Sequence, residues 1–330
     1  MTVAALERIQ RETRAVWSAY LRRGDAVALV DFPAYPNAGD TLIYLGERQY
    51  LDALGVRVRY LADSLRYDAA LLRRHHPEGP ILIRGGGNLG DRWTHLQDFR
   101  EQVIRDFPDR LIIQLPQSVD FRDPERTRQA QAVFGAHKNL VVMIRESPSM
   151  ETARRLFPDT AVVFCPDAAF GIGSQERLAG RASTEVVKVL RRDSEKNDIG
   201  LSRLDGPETD WGFTGAAAVA WNAVRVPQFV ARRVPRLAPA LYPAVVGGFA
   251  AQAALNRWQA TRAVSRGRVL VTDRLHAAVL GALTGMPVLA GDNSYGKVSA
   301  IYADYLHGFE NVAMVSSLEE ARERLGVLLG

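Results

Sequence analysis

Short apolar runs recur along this chain at intervals that a helix fills. In the first half they lie at residues 27–30, 56–60, 81–83, 111–115, 140–144 and 161–164. Between several of them sit helical patterns, for instance at 41–54, 94–107 and 125–134. Strands separated by helices of this length predict a parallel, doubly wound α/β sheet. Ligands of such sheets sit beyond the carboxyl ends of the strands. Asn37-Ala38-Gly39-Asp40, a glycine segment from Gly85, and Arg145-Glu146-Ser147 all fall there.

A second α/β unit begins near residue 171. Its expected strands are 186–190, 268–271, 287–290 and 312–315, with helices at 274–283 and from Ser317 to about Leu328. Ser316 or Ser317 can cap the last helix, with Glu319 and Glu320 in its first turn. The chain thus divides into residues 1–170 and 171–330, two units facing each other across a cleft. Residues 213–258 form an apolar, Ala- and Val-rich insertion that clusters Arg225, Arg232, Arg233 and Arg236. Leu237 to Leu255 carries no charge, a length that can span a bilayer. Pro239, Pro243, Gly247 and Gly248 interrupt it, and a span there would split one fold across the membrane. An interfacial element touching anionic lipid is the preferred reading, beside a buried helix pair or a dimer surface.

The glycine segment reads Arg84-Gly85-Gly86-Gly87-Asn88-Leu89-Gly90-Asp91, directly after the run 81–83. Glycines allow close backbone approach and positive φ. Loop amides backed by a helix N-terminus, here expected from about Trp93, would make an anion or sugar site. It matches neither a Walker A loop nor a dinucleotide fingerprint. The net charge of +5 is carried mostly by arginine, which suits planar contacts to carboxylate and phosphate. The single cysteine, Cys165, excludes an internal disulfide and a cysteine-based zinc cluster. The N-terminus carries Glu7, Arg8, Arg11 and Glu12 at helical spacing and has no apolar signal core, so a cytoplasmic protein is expected.

Several residues can carry chemistry. Asp40 and Asp91 each close a strand-end loop, as site carboxylates or as helix caps. Arg274 and His276, in Asp273-Arg274-Leu275-His276, open a helix after a strand, where an anion would meet backbone N–H groups and a guanidinium. A histidine there can act as an acid near neutral pH. Arg191 and Arg192, followed by Asp193, end another strand. Lys297 follows Asp292-Asn293-Ser294-Tyr295-Gly296 and can reach an anion. His75, His76, His95, His137 and His307 receive no chemistry, and no metal constellation or serine triad is visible.

In order along the chain these segments resemble the polysaccharide pyruvyl transferase family. The matching pieces are Asn37-Ala38-Gly39-Asp40 with Thr41-Leu42-Ile43, Gly85 to Asp91, Arg145-Glu146-Ser147, Pro166-Asp167-Ala168-Ala169-Phe170, Arg191-Arg192-Asp193 and Asp273-Arg274-Leu275-His276. The family's first motif is closer to Gly-Asn-x-Gly-Asp, and Pro36 stands here for the leading glycine. The resemblance implies two Rossmann-like domains in a GT-B-like arrangement. It implies transfer of the pyruvyl skeleton of phosphoenolpyruvate to two hydroxyls of one sugar, as a ketal. It places Arg191 or Arg192, Arg274 and His276 with phosphoenolpyruvate, and Asp40 or Asp91 as a base. Asn37, Gly86, Gly87, Asn88 and Lys297 join the expected binding residues.

No metal or organic cofactor is expected beyond phosphoenolpyruvate as co-substrate. The expected acceptor is a sugar on a lipid-linked precursor, with the protein cytoplasmic and in contact with the inner membrane through 213–258. Nucleic-acid binding fits poorly, because the basic residues are spread out. The alternatives are a GT-B glycosyltransferase using a nucleotide sugar, and a non-enzymatic membrane scaffold.

Overall fold

The computed structural model describes residues 2–330 except 179–181, 193–196, 198 and 295. Asp193 and Tyr295 therefore lie outside the described residues. The first half runs α1 (Thr2–Ser18), β1 (Ala26–Val30), α2 (Ala38–Leu54), β2 (Arg57–Ala62), α3 (Ala69–His75), β3 (Ile81–Ile83) and β4 (Gly86–Gly90). It continues with α4 (Thr94–Asp106), β5 (Ile112–Asp120), α5 (Pro124–Ala136), β6 (Leu140–Ile144), α6 (Ser147–Leu156) and β7 (Ala161–Phe164). Its strands form a parallel sheet in the order β2-β1-β3-β5-β6-β7, with β4 also on β5. Strands covered on both faces read as continuous apolar runs, and every residue of β6 is buried.

The second half holds β8 (Thr184–Val189), β9 (Glu208–Thr209), α7 (Gly215–Val224), α8 (Val226–Arg233), α9 (Ala238–Val264) and β10 (Gly267–Thr272). After these come α10 (Leu275–Leu283), β11 (Val288–Ala290), α11 (Lys297–Asp304), β12 (Val312–Met314) and α12 (Leu318–Leu329). These strands form a second parallel sheet in the order β12-β11-β10-β8-β9. Ser317 caps α12 through the Glu320 N–H. One cluster of buried apolar side chains joins the halves, including Leu29 of β1, Leu42 of α2, Val187 of β8 and Leu270 of β10.

The glycine segment departs from its expected form. It is a strand, and it lies along the far half of β5, beyond the part that pairs with β3. The apolar run ends at 115, and Pro116 follows it. A proline removes a ladder donor, and β5 indeed shifts register on β6 between Gln114 and Gln117, then runs on to Asp120. Protein groups also take up the segment's amides. The Gly85 N–H donates to Glu47 Oε1 (2.7 Å), the Asn88 N–H to Gln117 Oε1 (3.0 Å) and the Gly90 N–H to Gln97 Oε1 (3.3 Å). Three of the segment's amides are thus taken by protein side chains, and Gly87 and Asn88 line the cavity described below.

The apolar insertion becomes α7, α8 and α9. Pro235–Val264 is long and apolar enough to cross a membrane by length and composition. Its polar contacts favour a packed helix. Asn256 Nδ2 donates to Thr41 Oγ1 (2.8 Å) on α2, and the Leu61 N–H of β2 donates to the Tyr242 hydroxyl (2.7 Å). A span would break both bonds and place the buried Gln252 and Asn256 in lipid.

Candidate active site

The carboxyl ends of strands from both sheets open on one cavity of about 390 Å³. Tyr35, Asn37, Gly39 and Asp40 enter it from the β1–α2 connection, Gly87 and Asn88 from β4, and Trp93, His95 and Leu96 from the start of α4. Arg145 comes from the end of β6, Arg191 from the end of β8, Trp211 from beyond β9, and Arg274 and His276 from the β10–α10 junction. Asn293 and Lys297 complete it from the loop into α11.

Asn37 caps α2 by accepting the Gly39 and Asp40 N–H groups. Asp40 is thereby relieved of capping and sits in the first helical turn. Its carboxylate accepts from the Tyr35 hydroxyl (2.8 Å), Asn37 Nδ2 (3.0 Å) and Arg84 Nη1 (3.3 Å). Burial pushes its pKa up, but the Arg84 charge, the Tyr35 bond and the charges of His276 and Arg145 outweigh that and hold it below the ordinary value. Arg84 is fully buried and anchored behind Asp40 by the Asp31 carboxylate (3.1 Å) and carbonyl (2.6 Å).

A second buried network orients His276. Arg145 Nη1 donates to Asp167 Oδ2 (2.7 Å), and its Nε donates to Ser118 Oγ (2.9 Å). The Asp167 carboxylate also accepts the Ala169 N–H (2.8 Å) and faces His276 Nε2 at 3.4 Å. Burial would raise the Asp167 pKa, yet Arg145, His276 and the Ala169 amide bring it well below the carboxylate range. Asp167 therefore stays ionised and favours a proton on Nε2, leaving Nδ1 as the free position of the ring. Nδ1 packs against Gly39, where a Cβ would stand only 2.9 Å away. Glycine at 39 is what lets the imidazole approach the start of α2.

Across the cavity the groups are cationic. Arg274 pairs with Asp210 (2.8 Å). Lys297 Nζ donates to the Gly87 carbonyl (3.0 Å), joining α11 to the glycine wall. The Arg191 N–H donates to Asp273 Oδ1 (2.7 Å), which fixes the backbone at the end of β8. Asn88 presents its amide to the cavity while its Oδ1 accepts from Arg100 (2.8 Å) and Gln117 (2.8 Å). No group of three or more His, Cys, Asp and Glu side chains suited to a metal occurs among the described residues.

Asn37, Asp40, Gly87, Asn88, Arg191, Arg274, His276 and Lys297 thus meet in one place. Asp91 does not. Its carboxylate turns away to accept the Arg122 and Asp123 N–H groups, closing the loop after β5. Arg192 points to another, more open cavity and pairs loosely with Glu208 (3.4 Å). Gly86 lies behind the lining, at φ 144°, where a Cβ would crowd Arg84 (3.2 Å) and Asp40 (3.5 Å). Tyr35, Trp93, His95, Trp211 and Asn293 are lining residues that sequence reasoning missed, and Arg84, Arg145 and Asp167 are the missed ionic frame. Arg145 and Asp167 stood inside strand-end motifs, and that was the available signal. Trp93 and His95 follow the glycine segment directly.

Residues 37–295 match the family described as polysaccharide pyruvyl transferase. The chain belongs to that family. It is 28% identical to "Pyruvyl transferase 1" of Schizosaccharomyces pombe over 86% of this chain and 70% of that protein. It is 26% identical to the "Putative pyruvyl transferase EpsO" of Bacillus subtilis over 88% of each. The crystal structure of an uncharacterized protein from Klebsiella pneumoniae superposes with a TM-score of 0.59, covering 94% of this chain and 99% of that one, at 18% identity. That last likeness concerns the fold alone, a mixed α/β architecture with parallel sheets. The cavity therefore belongs to a pyruvyl transferase. Membership sets aside the nucleotide-sugar glycosyltransferase as a reading.

Proposed function

We propose that the pyruvyl transferase uses phosphoenolpyruvate as donor and closes a cyclic ketal on two hydroxyls of one sugar. The observation that carries this is the meeting of Arg191, Arg274, Lys297 and His276 opposite Asp40 in one cavity. A donor bearing both phosphate and carboxylate needs several such cations. In this reading the part after residue 171 is the donor side, and residues 1–170 the acceptor side, of a GT-B-like pair of Rossmann-like domains; the cationic groups after residue 171 support it.

In this scheme His276 protonates the donor's methylene carbon, and the electron deficiency falls on the carbon bearing the phosphate. The first sugar hydroxyl adds there as its proton passes toward Asp40. The carbon–oxygen bond to phosphate breaks, and phosphate leaves with the electron pair. The second hydroxyl closes the ketal, and its proton restores His276. The proton taken at Asp40 departs on phosphate, consistent with a carboxylate too weakly basic to keep it. General acid and base groups each contribute on the order of 10²–10⁴ in rate. No step calls on a metal or an organic cofactor. Asp167 keeps the imidazole oriented between these proton transfers.

The acceptor in this reading is a saccharide carried on a lipid, of the kind used for envelope or exopolysaccharide assembly. The enzyme then works in the cytoplasm at the inner membrane face. Purified protein with phosphoenolpyruvate and a lipid extract of the source cells should release phosphate, with a pyruvate mass gained by a glycolipid. Failure to bind phosphoenolpyruvate in calorimetry would overturn the donor assignment.

A further inference from the structure

A groove of about 570 Å³ lies on the far side of the loop that forms the acceptor end of the active site. Ala34 lines the groove and the adjacent Tyr35 lines the catalytic cavity. Arg66, Arg225, Arg232 and Arg233 surround it together with Val226 and Phe229, and no carboxylate lines it among the described residues. The ε nitrogen of Arg225 is buried there without a hydrogen-bond partner among the described residues. The Arg233 guanidinium stacks on the Phe229 ring at 5.1 Å.

The surroundings carry the same two properties. Between Trp211 and Thr272 the sequence has eight arginines and no aspartate or glutamate. Leu65, Val219, Val226, Phe229 and Leu237 stand out from this face, with Phe229 58% and Val226 55% exposed. No ion pair to Arg225, Arg232, Arg233 or Arg236 occurs among the described residues. A soluble anion would use the arginines and leave the exposed apolar side chains in water. A bilayer bearing anionic phosphates uses both.

We infer that this groove docks the enzyme on an anionic membrane, with a lipid phosphate held by Arg225, Arg232 and Arg233 and with Val226 and Phe229 in the headgroup boundary. This rests on the reading of the acceptor as lipid-linked. A sugar borne on a lipid phosphate then reaches around one loop, its phosphate in the groove and its hydroxyls beside Asp40.

The test is flotation of the full chain with phosphatidylcholine vesicles, with and without phosphatidylglycerol. The expected result is binding only to the anionic vesicles, weakening with salt. In Arg232→Gln/Arg233→Gln the partition falls roughly tenfold to thirtyfold. In Phe229→Ser it falls less and keeps its salt dependence. Phosphate release from phosphoenolpyruvate with a soluble sugar acceptor stays at the parent level in these variants, which shows them folded. Equal binding to neutral and anionic vesicles would overturn the proposal, as would an arginine variant that floats like the parent. Displacement of the protein from vesicles by millimolar inorganic pyrophosphate would reassign the groove to a soluble anion. Loss of phosphoenolpyruvate turnover in the parent chain would count against the pyruvyl donor alone, because flotation is read separately.

Discussion

The two walls of the cavity hold their charges in opposite ways. On the first-sheet side, Asp31, Asp40, Arg84, Arg145 and Asp167 are interlocked by short hydrogen bonds, and all but Asp40 are fully buried. Each charge there has a partner, three carboxylates sharing two guanidinium groups. On the second-sheet side, Arg191, Arg274 and Lys297 reach in from strand-end loops, and Arg274 pairs with Asp210. The contrast suits the proposed reaction, in which a polyanionic donor and a neutral diol are held together. A pre-bonded frame costs little reorganisation when a hydroxyl is deprotonated, and cations on loops can turn toward the donor and offset its desolvation. His276 belongs to both sides, since it stands on α10 of the second sheet and bonds to Asp167 of the first.

That double membership is the sharpest point to attack. His276→Gln keeps a hydrogen-bonding group near Asp167 and removes the acid. Turnover should fall on the order of 10²–10⁴, with phosphoenolpyruvate affinity by calorimetry little changed. Loss of donor binding with turnover otherwise intact would make His276 a cation of the second wall and nothing more. Gly39→Ala tests the same joint from the first wall. The added methyl would meet His276 Nδ1 at 2.9 Å and Asn37 Oδ1 at 3.2 Å. Alanine is the better helix former and the crowding opposes that gain, so the melting temperature should stay near that of the parent. The rate should nevertheless drop by about 10², the cost of misplacing a reacting group. A fully active Gly39→Ala enzyme would mean that the imidazole has slack, and the orienting role of Asp167 would go with it.

The two walls also differed in how far they could be read from the sequence. Strands 81–83 and 140–144 coincide with β3 and β6, because strands buried on both faces declare themselves by apolar runs alone, and 161–164 coincides with the partly buried edge strand β7. Strand ends then placed Asn37, Asp40, Arg274 and His276. What could not be read was which polar residue is spent on the fold. Asp40 and Asp91 looked alike, each closing a loop. They part only because Asn37 supplies the cap at one and the β5–α5 loop amides claim the other. Asp167 and Arg145 were visible as motif residues, but their pairing spans two strand ends and has no local signature. The glycine segment misled for a related reason. Three consecutive glycines resemble an open loop, whereas here they let a strand pass close to Pro116, Arg145 and Lys297.

Glu47 lies behind the first wall and tests how closely that frame is balanced. Its Oε1 accepts the Gly85 N–H, its Oε2 has no partner among the described residues, and burial pushes its pKa up to about 8. From an ordinary value of 4.5 in the unfolded chain to about 8 in the folded one, the native state holds a proton that the unfolded state releases. This contribution to stability is full below 4.5, declines as pH rises, and is gone above about 8. Glu47→Gln should therefore match the parent at pH 5. It should be more stable at pH 8.5 by about 1–3 kcal/mol, read from urea midpoints. An equal difference at both pH values would mean that Glu47 is ionised throughout, and that the first wall carries a further buried negative charge.

The smallest expected effect separates acceptor from donor. Trp93 precedes α4 on the first-sheet side, lines the cavity and is 45% exposed. An indole face open at a cavity mouth offers a flat apolar surface to the carbon face of a sugar, while the hydroxyls stay free for Asp40. Stacking contacts of this kind contribute about 0.5–1.5 kcal/mol. Trp93→Ala should thus raise the KM for the acceptor roughly twofold to tenfold, leave the KM for phosphoenolpyruvate unchanged, and leave thermal stability near that of the parent, since so exposed a ring buries little area. The division of labour between the walls rests on that selectivity. If the donor KM rises and the acceptor KM does not, the indole borders the anion, and the acceptor must approach from the Trp211 side of the cavity.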